Sequence, residues 1–363
     1  YKDSDSKEQG FFKSENRYEA KQDDFEKIPG SPIAYWVSDR VKEIFEKSEK
    51  LGEIAEPRQG MATSDNNRFL RNWSEISFTK IGFNFSNRTE AQESGLKWFP
   101  YNKGGEFQKW YGNQDYLVNW ENDGEELMGY AAKLYGSPTR TIKNIAHYFK
   151  MGITYSFVSS SNFGVRYTPK GFLFDVGGST TFPKENEIFY LTSFLTSCIA
   201  SNMLKIVAPT INFQVGDLKA LPIIFPKQES IKQQIDTLTG ECIDISKEEW
   251  DSRETSWDFT ASPLLIENGK LRIENGKIEN AYNAYCEYWK QKFYKLHANE
   301  EELNRLFIDI YELNDELTPD VALKDITILK SESIINDRGE LEFKADEIMK
   351  QFISYAVGVM FGR

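Results

Sequence analysis

Cysteine and histidine are scarce in this chain of 363 residues, with three Cys and two His. Cys198, Cys242 and Cys286 form no Cys-x-x-Cys pair, and His147 and His297 stand far apart. A structural zinc needs four closely spaced ligands, so no metal site is expected. A Ser-His-Asp triad would have to be built on one of two isolated histidines, neither beside a nucleophile-elbow sequence. No apolar run approaches the roughly 18 residues of a membrane span, and a membrane is not an expected partner. The opening Tyr1-Lys2-Asp3-Ser4-Asp5 is polar and acidic, unlike a signal peptide. An odd number of scattered cysteines fits a reducing cytoplasm. Catalytic signatures are missing too. There is no G-x-G-x-x-G, no Walker loop, no H-E-x-x-H and no zinc-deaminase pattern. Nor is there an [N/D]-P-P-[Y/F] tetrapeptide, which at a strand end holds a flipped base for amino methylation. The chain has no initiator Met and stops within the apolar run Gly358-Val359-Met360-Phe361-Gly362-Arg363. It is expected to be a piece of something longer.

Acidic residues are missing from one long stretch. The chain as a whole carries 44 basic and 56 acidic residues, a net −12, which is the wrong sign for nucleic-acid binding. The imbalance is local: residues 1–50 carry 10 basic and 12 acidic, residues 51–227 carry 18 and 16, and residues 228–363 carry 16 and 28. No Asp or Glu occurs between Glu126 and Asp175, where Lys133, Arg140, Lys143, Lys150, Arg166 and Lys170 lie. Cations without neighbouring carboxylates suit a phosphate backbone. A solvated face that happens to lack acids has the same pattern.

What is present divides the chain in three. Residues 1–50 read as a linker and an opening helix, with Val41, Ile44 and Phe45 at helical spacing after Ser38. Residues 51–227 are strand-like and aromatic, punctuated by Gly and Asn, as in Lys97-Trp98-Phe99-Pro100-Tyr101 and Tyr116-Leu117-Val118-Asn119-Trp120. One helix, from Phe189 to Asn202, interrupts this pattern. Residues 228–363 form an acidic helical region, incomplete at its end, with apolar 3–4 spacing from Ile231 to Trp250 and from Tyr282 to Leu313. Between those two helices Ile266-Glu267-Asn268-Gly269-Lys270 recurs as Ile273-Glu274-Asn275-Gly276-Lys277, which reads as a local hairpin or loop. The expected fold class is mixed α/β: a β-rich lobe followed by a helical lobe.

Several blocks carry a family resemblance. Ile28-Pro29-Gly30-Ser31-Pro32-Ile33-Ala34-Tyr35-Trp36 resembles the stretch that opens the recognition half of the PglX family, the adenine-specific DNA methyltransferases of BREX phage-defence systems. Gln59-Gly60-Met61-Ala62-Thr63-Ser64-Asp65-Asn66-Asn67-Arg68-Phe69 is similar to the G-x-x-T-x-x-N-x-x-F signature that begins target-recognition domains there and in type IIG restriction–modification enzymes. Lys97 to Phe107, Trp110-Tyr111-Gly112-Asn113, Asn119 to Gly124, Ala208 to Leu218 and Leu296 to Asn304 resemble further family segments, so the blocks span about residues 28–307. The resemblance implies the target-recognition and C-terminal part of such an enzyme. The S-adenosylmethionine fold would lie upstream of Tyr1. The parent would use S-adenosylmethionine, this piece should hold no cofactor, and methyl transfer is not expected from it alone. Double-stranded DNA is the implied partner, bound by a monomer. Other subunits of the defence system or phage-encoded inhibitors are further candidates.

The residues support DNA binding independently of the resemblance. Ser159 to Tyr167 gathers hydroxyls, an amide, a guanidinium and two rings, with Ser160, Asn162, Arg166 and Tyr167 as candidate contacts. Asn102-Lys103-Gly104-Gly105, followed by Lys109 and Tyr111, suits a phosphate clamp. Thr63, Ser64, Asn66 and Arg68 form a third candidate loop, and Arg140, Lys143 and Lys170 complete the basic set. A polar hairpin, a simple turn and Asx-turn chemistry account for the same three loops. Trp98, Trp120 and Phe172 read as core. Two alternatives remain. Pro319-Asp320 with Glu342-Phe343-Lys344 has the residue types of a Mg²⁺-dependent nuclease, and the acidic helices could dock partner proteins.

Overall fold

The leading part of the chain includes the helices α1 (Ser4–Phe12) and α2 (Asp39–Lys47). Among the described residues the two larger sheets are built from eight short strands: β1 (Glu56–Arg58), β2 (Leu70–Asn72), β3 (Trp98–Asn102), β4 (Tyr116–Asn119), β5 (Gly152–Tyr155), β6 (Val165–Thr168), β7 (Leu173–Phe174) and β8 (Thr180–Phe182). Helix α3 (Glu121–Tyr135) lies between β4 and β5. Then come α4 (Ile188–Thr196), α5 (Cys198–Val207), α6 (Glu229–Asp251) and α7 (Ile278–Tyr311), a hairpin of β9 (Ser333–Ile335) and β10 (Leu341–Phe343), and α8 (Ala345–Met360). This computed structural model describes residues 3–13, 25–157, 163–208, 212–267, 270–271 and 278–362. The architecture is mixed α/β, as expected.

Helix α2 forms where the sequence places it. Ser38 caps it by accepting from the Val41 amide at 3.2 Å, and Val41, Ile44 and Phe45 are buried. Burying such a side chain contributes about 1.5–3 kcal/mol. The helix expected over Phe189 to Asn202 is two helices. Ser197 has extended backbone (φ −69°, ψ 162°) and its hydroxyl caps the second, α5. Helix α3 is a further departure, since the strand-like stretch is interrupted there as well. Its regular turns begin only after Asn122, Asp123 and Gly124, three consecutive left-handed residues, the residue types that tolerate that conformation. Gly129 and the polar first turn hid this helix from periodicity. The long helices match expectation. α6 and α7 run antiparallel, as Gln234–Glu302, Asn299–Glu241 and Lys292–Glu248 contacts show.

The strands build two four-stranded sheets, in the orders β1-β8-β5-β6 and β2-β4-β3-β7. One apolar cluster joins α2, β5, β6 and α4 to α6, α7 and Ile348, so it runs across residues 227 and 228. A second, built from residues 61–174, fills the space under the β3–β4 sheet and includes Phe99, Trp120 and Phe174. Trp98, Trp120 and Phe172 are all buried. The first of the two Asn-Gly copies is a two-residue antiparallel pairing of Ile266–Glu267 with Lys270–Leu271. The second lies outside the described residues. Among the described residues no helix is long and apolar enough to cross a membrane.

Candidate nucleic-acid interface

Three extended segments run parallel and end at one edge. Met61 bridges Asp175 in parallel, and β3 pairs with β7 in parallel through Tyr101↔Leu173 and Asn102↔Phe174. The Met61 amide donates to the Phe174 carbonyl (2.9 Å), Val176 to Met61 (3.1 Å) and Asp175 to Asn102 (2.8 Å). Because the directions agree, the loops after Ala62, Asn102 and Asp175 emerge together. The end of β5 joins them: the Phe157 amide donates to the Gly177 carbonyl (2.9 Å), and the Ser156 hydroxyl to Gly105 (2.9 Å).

The glycines at this edge serve contact between loops. A Cβ on Gly104 (φ +85°) would lie 2.4 Å from the Gly177 oxygen, and one on Gly178 would lie 2.4 Å from the Asn102 oxygen. Such distances forbid any side chain there, which explains the Gly-rich sequence without invoking a phosphate.

The Thr63–Arg68 loop is held from both sides. Thr63 is buried and its hydroxyl donates to Asn66 Oδ1 (2.6 Å); Asp65 caps the short helix Asn66–Phe69 through the Arg68 amide (3.1 Å). Ser64 is left-handed (φ +62°), and Tyr135, at the end of α3, donates to its hydroxyl (3.2 Å). The Ala62 amide donates to Thr141 (2.9 Å), which places Arg140 beside the loop. Lys143 reaches Gln59 Oε1 (3.2 Å) a short way along the same side. Lys133, Arg140 and Lys143 are exposed, and among the described residues none forms an ion pair.

Space restores some of the acids that sequence removed. Arg68 pairs with Glu126 (2.7 Å), holding that carboxyl below its usual range, and lies over the Tyr130 ring at 5.0 Å. Lys103 pairs with Asp175 (3.2 Å), which also accepts from the buried Tyr101 hydroxyl (2.8 Å). His147 faces Glu56, and burial pulls its pKa below the usual imidazole value despite that carboxylate.

Several expected contacts are not on this surface. Lys109 is 6% exposed and pairs with Glu300 of α7, while its neighbour Trp110 donates to the same carboxylate (2.7 Å). Tyr111 is buried, with its hydroxyl donating to Gln114 (3.2 Å) and Trp250 against Gly112. Asn102 is buried and donates to Thr168 (3.2 Å). Arg166 is buried, because its strand is covered on both faces. Tyr167 is half-buried and packs edge-on against Phe189. In this structure Asn102, Lys109, Tyr111 and Arg166 are interior side chains and Tyr167 is half-buried. Lys150 and Lys170 sit at the far end of β5 and β6, next to the Gly152↔Thr168 pair, about 20 Å from Phe157 at roughly 3.3 Å per residue. Ser160 and Asn162 lie outside the described residues. Tyr135 and the Gly177-Gly178 loop, both at the edge, were not singled out from sequence. The Gly-Gly pair is the signal that could have found the second.

The nuclease alternative gains no site among the described residues. Asp320 follows α7 near Asn304, which donates to the Pro319 carbonyl (3.1 Å), whereas Glu342 pairs with Ile334 in the terminal hairpin. Among the described residues no group of three or more His, Cys, Asp and Glu could hold a metal ion.

No protein-family model matches the chain. Among curated proteins it is 39% identical over 348 residues to the adenine-specific methyltransferase PglX of Lacticaseibacillus casei (strain Zhang), covering 95% of this chain and 27% of that protein. It is 34% identical over 351 residues to the adenine-specific methyltransferase BrxX of Escherichia coli O9:H4 (strain HS), covering 94% of this chain and 26% of that one. A solved structure of the type IIL restriction-modification enzyme MmeI in complex with DNA aligns with 77% of this chain and 36% of its own, at 13% identity and a TM-score of 0.45, too slight a likeness to argue from. The chain spans about a quarter of the length of its curated relatives. Across nearly all of its own length, as its motifs indicated, it is similar to a stretch of the adenine-specific methyltransferases PglX and BrxX.

Proposed function

We propose that this chain is the part of an adenine-specific DNA methyltransferase that recognises double-stranded DNA at a defined sequence, in a BREX phage-defence or type IIG restriction–modification setting. The observation that carries the reading is the convergence of the Thr63–Arg68, Lys103–Gly105 and Val176–Ser179 loops at one edge, flanked by Lys133, Arg140 and Lys143, which among the described residues form no ion pair. The names of both curated relatives agree with it.

The division of labour follows from chemistry. Arg140, Lys143 and Lys133 hold phosphates, which positions the duplex without reading it. Asn66 is exposed, and its amide nitrogen and second oxygen lone pair remain free to meet an adenine edge bidentately. Ser64 lies beside it, in a strained conformation that Tyr135 maintains. Residues of the complete protein outside this chain supply S-adenosylmethionine binding and methyl transfer; this chain has no motif for either.

Modification sequencing of DNA from cells carrying the complete protein with Asn66→Ala tests this. Methylation at a motif relaxed at one position is expected, with discrimination there lower by about 1–3 kcal/mol. An unchanged motif would remove Asn66 as a base reader.

A further inference from the structure

Arg166 is among the largest fully buried side chains, and among the described residues its charge has no counter-ion. It is 2% exposed, and its Nε and Nη1 have no hydrogen-bond partner. Its direction follows from strand alternation. Val165 belongs to the core shared with the helices and Tyr167 packs on Phe189 of α4, so Arg166 projects from the opposite face of β6. Its cross-strand partner Thr154 and its neighbour Thr168 share that face. The Thr154 hydroxyl donates to the Gly178 carbonyl (3.2 Å), and Thr168 accepts from Asn102 (3.2 Å). Arg166 therefore lies directly beneath the loops at the proposed interface.

The surroundings are cationic. Burial holds the Lys330 ammonium below its usual range, and the nearby Lys109 and Arg166 charges push it the same way against Glu106 and Glu249. Lys109 is already committed to Glu300, and Glu249 to Arg253 (2.7 Å). Among the described residues that leaves Arg166 without a carboxylate partner, and leaves Glu106 as the one uncommitted acid whose charge acts on Lys330. Lys330 reaches the Phe107 carbonyl at the surface and lies over the Phe107 ring at 5.2 Å. A buried guanidinium without an anion destabilises the fold that contains it, and anion binding relieves that penalty.

We propose that Arg166 and Lys330 form a phosphate site under the Lys103–Phe107 segment. A phosphodiester oxygen takes the free Nε–H and Nη1–H of Arg166 when this segment lifts, and Gly104 and Gly105, both at positive φ, give it the freedom to do so. That the phosphate belongs to DNA rests on the function proposed above. The anion chemistry rests on the unpaired charge alone.

The experiment uses the complete natural protein, as wild type, Arg166→Met and Lys330→Ala. Thermal midpoints are measured with and without inorganic phosphate at constant ionic strength, and duplex affinity is measured against salt. Phosphate is expected to raise the wild-type midpoint and to leave both variants unmoved. Without phosphate, Arg166→Met is expected to melt about 2 °C above wild type, with a salt slope smaller by about 0.9. A wild-type midpoint unmoved by phosphate, or a rise kept in Arg166→Met, overturns the site. If Arg166→Met fails to fold, a rise kept in Lys330→Ala overturns it. A phosphate-dependent rise in a wild type that binds no duplex sinks the DNA reading and leaves the anion site standing.

Discussion

Glu300 accepts from both Lys109 and the Trp110 indole, and all three side chains are buried. Removing one partner of such a group strands the other charge. Glu300→Ala is therefore expected to destabilise the protein by about 3–5 kcal/mol in urea unfolding, and Lys109→Met with Glu300→Leu to recover most of that. A double variant as unstable as the single one would show that the two charges are not coupled. His147 sets a pH dependence. Its folded pKa lies below the unfolded value because burial disfavours the imidazolium, so the unfolded chain binds the proton first as pH falls. Stability from this group is complete above about pH 6.5 and is lost below it. Glu56, held low chiefly by its bond to Arg58, is lost in the same direction at lower pH. Unfolding midpoints compared between pH 7 and pH 5 should fall less in His147→Asn than in wild type; an equal fall would assign the titration elsewhere. Residues of this kind were the least legible in sequence. Lys109 looked like a phosphate contact because its partner is 191 residues away, and Arg166 looked exposed because a strand covered on both faces cannot be told from one with a wet face by its own alternation.

Elements with strong periodicity were legible: α2, α6 and α7 lie where the apolar spacing puts them. Interruptions were not, since a single hydroxyl at Ser197 splits one helix and three left-handed residues delay another. The loops of the interface were legible as loops, through their Gly, Asn and Ser content, while their convergence depends on parallel pairings between residues 61, 102 and 174 that no local pattern encodes. Two glycines separate packing from propensity. Gly129 lies on α3 with nothing within 4 Å of an added Cβ, so Gly129→Ala should stabilise the protein by about 0.5–1 kcal/mol. Gly178→Ala drives a methyl into the Asn102 carbonyl and the Gly104 amide. It is expected to lower thermal stability. An unchanged melting midpoint would mean that the two loops are not packed against each other as Gly178 requires.

At the scale of the whole molecule, a chain with net charge −12 is proposed to bind a polyanion. The acidity lies in residues 228–363; at the loop edge Arg68 and Lys103 are paired with acids, while among the described residues Lys133, Arg140 and Lys143 form no ion pair. The two ends of the β5–β6 pair differ in what they present: Arg140 and Lys143 flank the proposed interface, and Lys150 and Lys170 lie at the far end. Sequence alone grouped all four. The most direct measurement is the salt dependence of duplex binding by the complete protein in two double variants. Arg140→Ala with Lys143→Ala is expected to lower the log–log slope by about 1.8, at about 0.9 per lost phosphate contact. Lys150→Ala with Lys170→Ala is expected to leave the slope unchanged. Equal losses in both variants, or a loss only in the second, would contradict the placement of the DNA at the Thr63–Arg68 edge.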